Sequence, residues 1–359
     1  MSKTGGPVMQ YAKISHKYQY FCGGDMHAKT TYFVVLDRSG HCKLKGNLAN
    51  RFDGFKDFIS PFQDQVVVGV EANFNYPWLY DGCRKDRIPF LLGHAPYMRA
   101  IAGNKKKNDR LDAQTIANLM RTNFFPVGYA FPKEMRDVRD LLRRRHYFVR
   151  QRSSLITHSK LTFYQQGITD NPDAVFKNKQ HREELCHLLS EEELRLSLNS
   201  NIQVISFLDD IIAFLEKTIL QRVKKHHHES FALLQTIPGV GEMTALIIIY
   251  ETCDISRFKN HQNYASYARV VKPERMSNGV LKKGGNPKMG NPYLKWAFGQ
   301  ILYQARMAHP DIDHYYLKLE RSCSKKKARA IMAHKFNTAA YFILKNQSAF
   351  DLDKFLNRD

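Results

Sequence analysis

Two aspartates, Asp109 and Asp112, stand three apart in the stretch KKKNDRLDAQTIANLM, directly after Lys105, Lys106 and Lys107. At about 100° per residue, a helix through this stretch puts both carboxylates on one face. Ala113, Ile116 and Met120 form an adjoining apolar stripe. Acids at a helix start suit the positive end of the helix dipole, which accounts for Asp109. It accounts poorly for Asp112, which turns toward the packed side. Carboxylates crowded beside a core need a partner, and a divalent cation is the usual one. Upstream, two more acids close hydrophobic runs: Asp25 ends YQYFCGGD and Glu71 ends QVVVGVE. By strand alternation Phe21, Gly23 and Asp25 share a face, as do Val67, Gly69 and Glu71. Open α/β sheets place ligand sites at strand ends, although a single acid there is usually a turn residue. Four carboxylates that could converge have the composition of a two-magnesium site for phosphoryl chemistry.

A hydroxyl stands out as well. Ser277 lies in KPERMSNGVLKKGGNPKMGNPYLKWAF, flanked by Arg275, Lys282 and Lys283, with Lys288 beyond. The Gly, Pro, Asn and Lys content argues for a flexible basic loop before about residue 292. A serine is a poor nucleophile unless a base takes its proton or cations stabilise the alkoxide. By composition alone, a turn serine beside phosphate-binding lysines is the plainer reading.

The elements that must carry these groups can be read in outline. Residues 18–92 alternate short strands and helices in the order β-β-β-α-β-α-β, followed by the helix of Asp109 and Asp112, an α/β layer pattern. Residues 133–167 then read as one long basic helix, carrying Arg139, Arg143, Arg144, Arg145, Arg150 and Arg152. Ile205, Leu208, Ile212, Leu215 and Ile219 step by three and four, a heptad seam that could pack within one chain or against a second copy, the second copy being the preferred partner. His226, His227 and His228 are adjacent at a helix end and read as a solvated terminus, not a metal site. Further on, Pro238, Gly239 and Gly241 in LLQTIPGVGEMTALIIIYE form a tight turn before an apolar helix. This is similar to a helix-hairpin-helix element, whose turn amides grip a DNA phosphate.

Composition narrows the partners. Fifty-five Lys and Arg against 34 Asp and Glu give +21 over 359 residues, an excess that favours a polyanion through counterion release. The longest apolar run, ALIII, is too short to span a bilayer, and MSKTGGPVMQ has no apolar signal core, so the expectation is a protein that is neither exported nor membrane-bound. Cys22, Cys42, Cys83, Cys186, Cys253 and Cys323 have no close pairs, which suits a reducing cytosol.

In their joint order, KNDRLDA, MRDVRDLLRRRHYFVRQRSSL, LLQTIPGVGEMTA, SRF, MSNGVLKKGG, MGNPYLKWA and KARAIMAHK carry a resemblance to the transposases of the insertion-sequence "one-ten" family, the DEDD recombinases guided by a bridge RNA. It extends over roughly residues 18–346. The resemblance implies a mixed α/β plus α fold: an RNase H-like (RuvC-like) DEDD domain at 1–130 with 1–17 disordered, a helical coiled-coil dimerisation and nucleic-acid-binding region at 131–230, and a mainly helical transposase domain at 231–359. It implies that Asp25, Glu71, Asp109 and Asp112 bind Mg2+, with Mn2+ as the substitute, and that Ser277 is the nucleophile forming serine–DNA links, acids and serine coming from different protomers. Its implied partners are donor and target DNA, a structured noncoding RNA, and a second copy in a homodimer that becomes a tetramer during exchange, in the bacterial cytoplasm at the nucleoid. Lys105, Lys106, Lys107, the arginines of the long helix, Gly239, Gly241, Arg275, Lys282, Lys283 and Lys288 are the expected nucleic-acid contacts. The chain departs from the family at EANFNY, where Thr-Gly usually follows the glutamate, at Gly24 before Asp25, and at Asn278 after the serine. Two other readings compete. A metal-dependent, Holliday-junction-resolvase-like nuclease needs the acids but not Ser277, and a non-catalytic nucleic-acid-binding protein needs neither.

Overall fold

Val66–Glu71 has four valines in six residues, and it folds as the strand buried on both faces that such a run favours. It is β4 of a five-stranded sheet in which β1 is Tyr20–Met26, β2 Thr30–Asp37, β3 Cys42–Ala49 and β5 Phe90–Gly93, in the order β3-β2-β1-β4-β5. The β1–β2 and β2–β3 pairs are antiparallel, and the β1–β4 and β4–β5 pairs are parallel. The structure is a computed structural model, and it describes residues 11–101, 108–169, 176, 182–223, 228–272, 275–277, 280–282 and 289–356. It divides into two units, Met1–Lys133 and Glu134–Asp359.

In the first unit, α1 (Phe52–Ile59) and α2 (Pro77–Lys85) cover one face of the sheet, packing Phe55, Ile59, Leu79 and Cys83 onto Cys22, Val35, Val68 and Val70. After α3 (Ala95–Ile101), α4 (Asp109–Arg121) covers the other, packing Ala113, Ile116, Ala117 and Met120 onto Phe21, Val34 and Val67. This mixed sheet with helices on both faces agrees with the expected RNase H-like domain. α3 had no clear signal in the sequence. Residues 11–17 are not a disordered lead: Ala12 donates its amide to Phe125 O at 3.0 Å, and the amides of Ile14 and Ser15 meet Asn123 Oδ1 at 2.8 and 2.9 Å.

The second unit begins with two long helices, α5 (Lys133–Gln165) and α6 (Glu192–Val223). Their side chains pair in antiparallel order: Arg145 with Glu216, Arg152 with Asp209, and Ser159 with Asn201. The heptad seam Ile205, Leu208, Ile212, Leu215 and Ile219 is buried inside this one chain. The expectation that it meets a second copy is therefore corrected, because periodicity shows that a face is buried and not whose chain covers it. Val138, Leu142, Leu215 and Ile219 belong to the same core as α8 (Glu242–Thr252), α10 (Pro292–Ala308) and α12 (Lys325–Asn346). The helical region thus shares its core with the C-terminal helices. The remaining helices are α7 (His228–Gln235), α9 (His261–Tyr267), α11 (Pro310–Ser322) and α13 (Leu352–Leu356). Among the described residues no helix is long and apolar enough to cross a membrane.

Candidate metal centre and basic surface

Asp25 and Glu71 lie one residue past the Gly24–Val70 pair of the parallel β1–β4 ladder, at the C-terminal ends of neighbouring strands. The helix bearing Asp109 and Asp112 lies on the same face because Gly23 has no side chain. A Cβ there would strike the carbonyl oxygen of Ala113 and lie 2.5 Å from the amide nitrogen of Ala117. Gly69, beside it in the ladder, makes the same room for Met120, whose sulfur would be 2.5 Å from an added Cβ. With the backbone of α4 seated on the strand, its first turn comes level with the strand end. Asn108 caps that turn by accepting from the Arg110 amide at 3.0 Å.

The tightest group at this end is Asp25, His27 and Asp109, each offering one ligand atom within 4.8 Å of the other two. His27 Nε2 stands 3.4 Å from Asp25 Oδ2 and 3.1 Å from Asp109 Oδ2. Asp112, on α4 with Asp109, and Glu71, on the neighbouring strand β4, are both half-buried and lie outside that group. The Asp109 side chain is 57 % exposed and that of Asp25 is 24 % exposed. Of the helix pair only Asp112 turns partly inward, while Asp109 is exposed. It is at the solvent edge, as the dipole reading of a first-turn acid requires. The donors are mainly carboxylate oxygens with one imidazole, a set that fits a divalent cation. Sequence reading missed His27, a single histidine in a turn with no periodic signal. Its spacing of two from Asp25 was the available clue.

The end of β1 is held in place by asparagines. Asn73 Nδ2 donates to Met26 O at 3.0 Å, while Asn75 Nδ2 and Asn50 Nδ2 donate to His27 O at 2.5 and 2.8 Å. In this chain, then, EANFNY ties the end of β4 to the end of β1.

In the second unit, several expected nucleic-acid contacts are otherwise engaged. Arg139 and Arg143 grip Glu251, Arg145 grips Glu216, and Arg152 shares Asp209 with Arg182. These four arginines thus make ion pairs within the unit, with Arg143 and Arg152 still 32 % and 31 % exposed. Arg144 and Arg150 are exposed. Glu251, its side chain 2 % exposed, also accepts from Asn291 Nδ2 at 2.6 Å. Burial pushes its carboxyl up, but the hydrogen bond and charge of Arg143, joined by Arg139, outweigh that and hold it below the usual carboxylate range. Asn291 also caps α10, accepting from the amides of Tyr293 and Leu294. Tyr293 lies under Arg143, and Trp296 packs edge-on to His146, so both serve packing here.

Pro238, Gly239 and Gly241 lie between α7 and α8, so the expected tight turn does precede the apolar helix. Gly239 has φ +82° and abuts the backbone of residues 304 and 305, so its lack of a side chain serves close helix packing. An added Cβ at Gly241, just ahead of α8, would meet open space. Arg275–Ser277 and Val280–Lys282 form a small antiparallel hairpin, β6 and β7, with Ser277 opposite Val280. A wholly irregular loop was expected there. The missed signal was Asn-Gly between two β-capable triplets, a favoured hairpin dipeptide. Lys105, Lys106, Lys107, Lys283, Lys288, His226 and His227 lie outside the described residues.

A mixed sheet with acids at its central strand ends, beneath an acid-bearing helix, is the arrangement of an RNase H-like carboxylate domain. Comparison with known proteins is more specific. Residues 22–164 match a family described as Transposase, of the DEDD IS110 type, and residues 231–317 match the Transposase IS116/IS110/IS902 family. Over these two stretches the chain is similar to the IS110-type transposases. It is also similar to the transposase for insertion sequence element IS1111A of Coxiella burnetii (strain RSA 493 / Nine Mile phase I), with 28 % identity over 206 residues, or 56 % of this chain. The chain spans about half, 54 %, of the length of that relative.

Proposed function

We propose that this protein is an RNA-guided insertion-sequence transposase that cuts and rejoins DNA at a magnesium centre, with Ser277 as the attacking group. The observation that carries the reading is the convergence at the ends of β1 and β4, where Gly23 lets α4 bring Asp109 to within reach of Asp25 through His27. Asp25, Glu71, Asp109 and Asp112 would hold the cation, Mg2+ or Mn2+, with His27 at its edge. When bound, it polarises phosphoryl oxygens and offsets the charge that develops in transfer. The serine Oγ forms a bond to phosphorus as the P–O bond to the adjoining sugar breaks, its proton passing to water and the departing sugar oxygen being released as a free hydroxyl. The phosphodiester energy is thereby kept in the protein–DNA link for rejoining.

Arg144, Arg150, Arg275 and Lys282, with Lys105, Lys106, Lys107, Lys283 and Lys288, would face donor DNA, target DNA and a structured RNA, in keeping with the net charge of +21. Self-association into dimers, and tetramers during exchange, would use the apolar stripe that α6 leaves exposed at Leu196, Val204, Phe207 and Phe214. The bacterial nucleoid is where such a protein would work.

The test uses purified protein, the element's flanking RNA, donor and target DNA and Mg2+, with products run on a denaturing gel with and without protease. A protease-sensitive adduct that is lost in Ser277→Ala, in Asp112→Asn and on chelation is the expected result. Cleavage that survives Ser277→Ala without an adduct would replace this mechanism with water hydrolysis at the same acids. Binding without metal-dependent cleavage would leave a nucleic-acid-binding protein.

A further inference from the structure

Phe74 has the most exposed large apolar side chain among the described residues, at 78 %. Single exposed aromatics are ordinary, but this one is held unusually firmly. The residue before it, Asn73, ties to Met26 O, and the residue after it, Asn75, ties to His27 O. The Asn75 amide closes the bend on Asn73 Oδ1 at 3.2 Å. Both anchors lie on the strand end that carries Asp25 and His27, and Phe74 itself is three residues past Glu71. The chain therefore fixes the backbone of an exposed ring at the rim of the carboxylate cluster, where the ring contributes little to the core.

We propose that Phe74 is a base-stacking residue: its ring packs on an unpaired nucleobase next to the phosphate that reaches the carboxylates. This rests on the reading of the site as a phosphodiester-cutting centre and adds a contact to it. A strand whose phosphate enters the cluster presents its flanking bases to whatever borders the cluster, and on the Glu71 side that is Phe74. A phenyl ring offers no hydrogen bond, so the contact is tolerant of sequence, as aromatic stacking on single strands is. It also stabilises a base already out of its duplex, which lowers the cost of opening the strand at the cut.

The experiment compares wild type, Phe74→Ala, Phe74→Leu, Phe74→Trp and Asp112→Asn. The probe is a DNA duplex with one unpaired 2-aminopurine beside the mapped cut, bound in Ca2+ and then cut in Mg2+. Stacking predicts fluorescence quenching with wild type and Phe74→Trp. It also predicts a roughly 5- to 150-fold loss of affinity in Phe74→Ala and Phe74→Leu, the range supplied by one base on one ring. If Phe74→Leu quenches, binds and cuts as wild type does, the ring is irrelevant and the proposal falls. If Phe74→Ala cuts normally while Asp112→Asn does not, stacking falls and the metal centre stands. If Asp112→Asn cuts as well as wild type, the reading of the site fails and takes the stacking contact with it. If Phe74→Ala leaves quenching unchanged but shifts the mass seen by light scattering, Phe74 is a protein contact instead.

Discussion

The protein holds acidic side chains in two contrasting ways. Glu251 is buried, and the chain supplies its counter-charges: two guanidinium groups and the amide of Asn291 close on one carboxylate. At the ends of β1 and β4, acids from two strands and a helix gather beside one another and one imidazole at the solvent edge. The first arrangement is complete and serves the fold. The second gathers acids from three elements at an exposed edge, where a cation could join them. The contrast can be tested residue by residue.

The largest effect is expected at the strand ends. Asp25→Asn or Asp112→Asn should lower DNA cleavage by about four orders of magnitude, the several kcal/mol that a lost metal site represents. The thermal midpoint should stay level or rise, because a crowded charge has been removed. A large fall in the midpoint of either variant would mean that these acids are structural, like Glu251. Glu251→Ala should do the opposite, destabilising the second unit by about 3–5 kcal/mol as two arginines lose their buried partner. Calorimetry reads this directly as a drop of about 10 °C.

A smaller, mixed effect belongs to Gly23→Ala. The new methyl group would push α4 off the sheet, costing about 1–3 kcal/mol in stability and more in cleavage, since Asp109 moves with the helix. Unchanged activity would show that the Gly23 contact does not set the site. Acid denaturation gives a pH-dependent comparison. The Glu251 carboxyl is held below its usual value when folded. Its contribution is therefore full above about pH 4.3, the unfolded value, and is lost as the pH falls through the lower folded one. Glu251→Gln should flatten that acid limb of the stability curve, and Asp112→Asn should leave it in place. The smallest effect separates two arginines of α5. Arg150→Ala should reduce the salt slope of nucleic-acid binding by about 0.9 with the midpoint unchanged, whereas Arg152→Ala, which breaks a bond to Asp209, should lower the midpoint.

What the sequence showed follows from the range of each signal. Asp25 and Glu71 were legible because hydrophobic runs mark where strands end, and Asp112 because helical spacing marks which way it turns. The seam on α6 was legible as a buried face, but the partner of that face lies about 70 residues back in α5, and no local pattern names it. The same distance hid the fate of Arg139 and Arg143: excess charge is a property of composition, while pairing with Glu251 depends on contacts across 112 and 108 positions. His27 and the Asn73–Asn75 tie were hidden for the opposite reason. Each is too short and too local to form a period, and only the neighbouring strand end gives it meaning.

The close approach at Gly23 also bears on how such a chain tolerates insertions and deletions. Asp25 follows Gly23 by one strand repeat, and Asp109 precedes Ala113 by about one helical turn. The two acids align only while both spacings are kept. One residue added between Gly23 and Asp25 would turn that carboxylate to the far side of the sheet. One residue lost between Asp109 and Ala113 would rotate the other by about 100°. Either chain would still contain all four acids and the serine, so the alignment could be lost while the inventory of these residues looked whole.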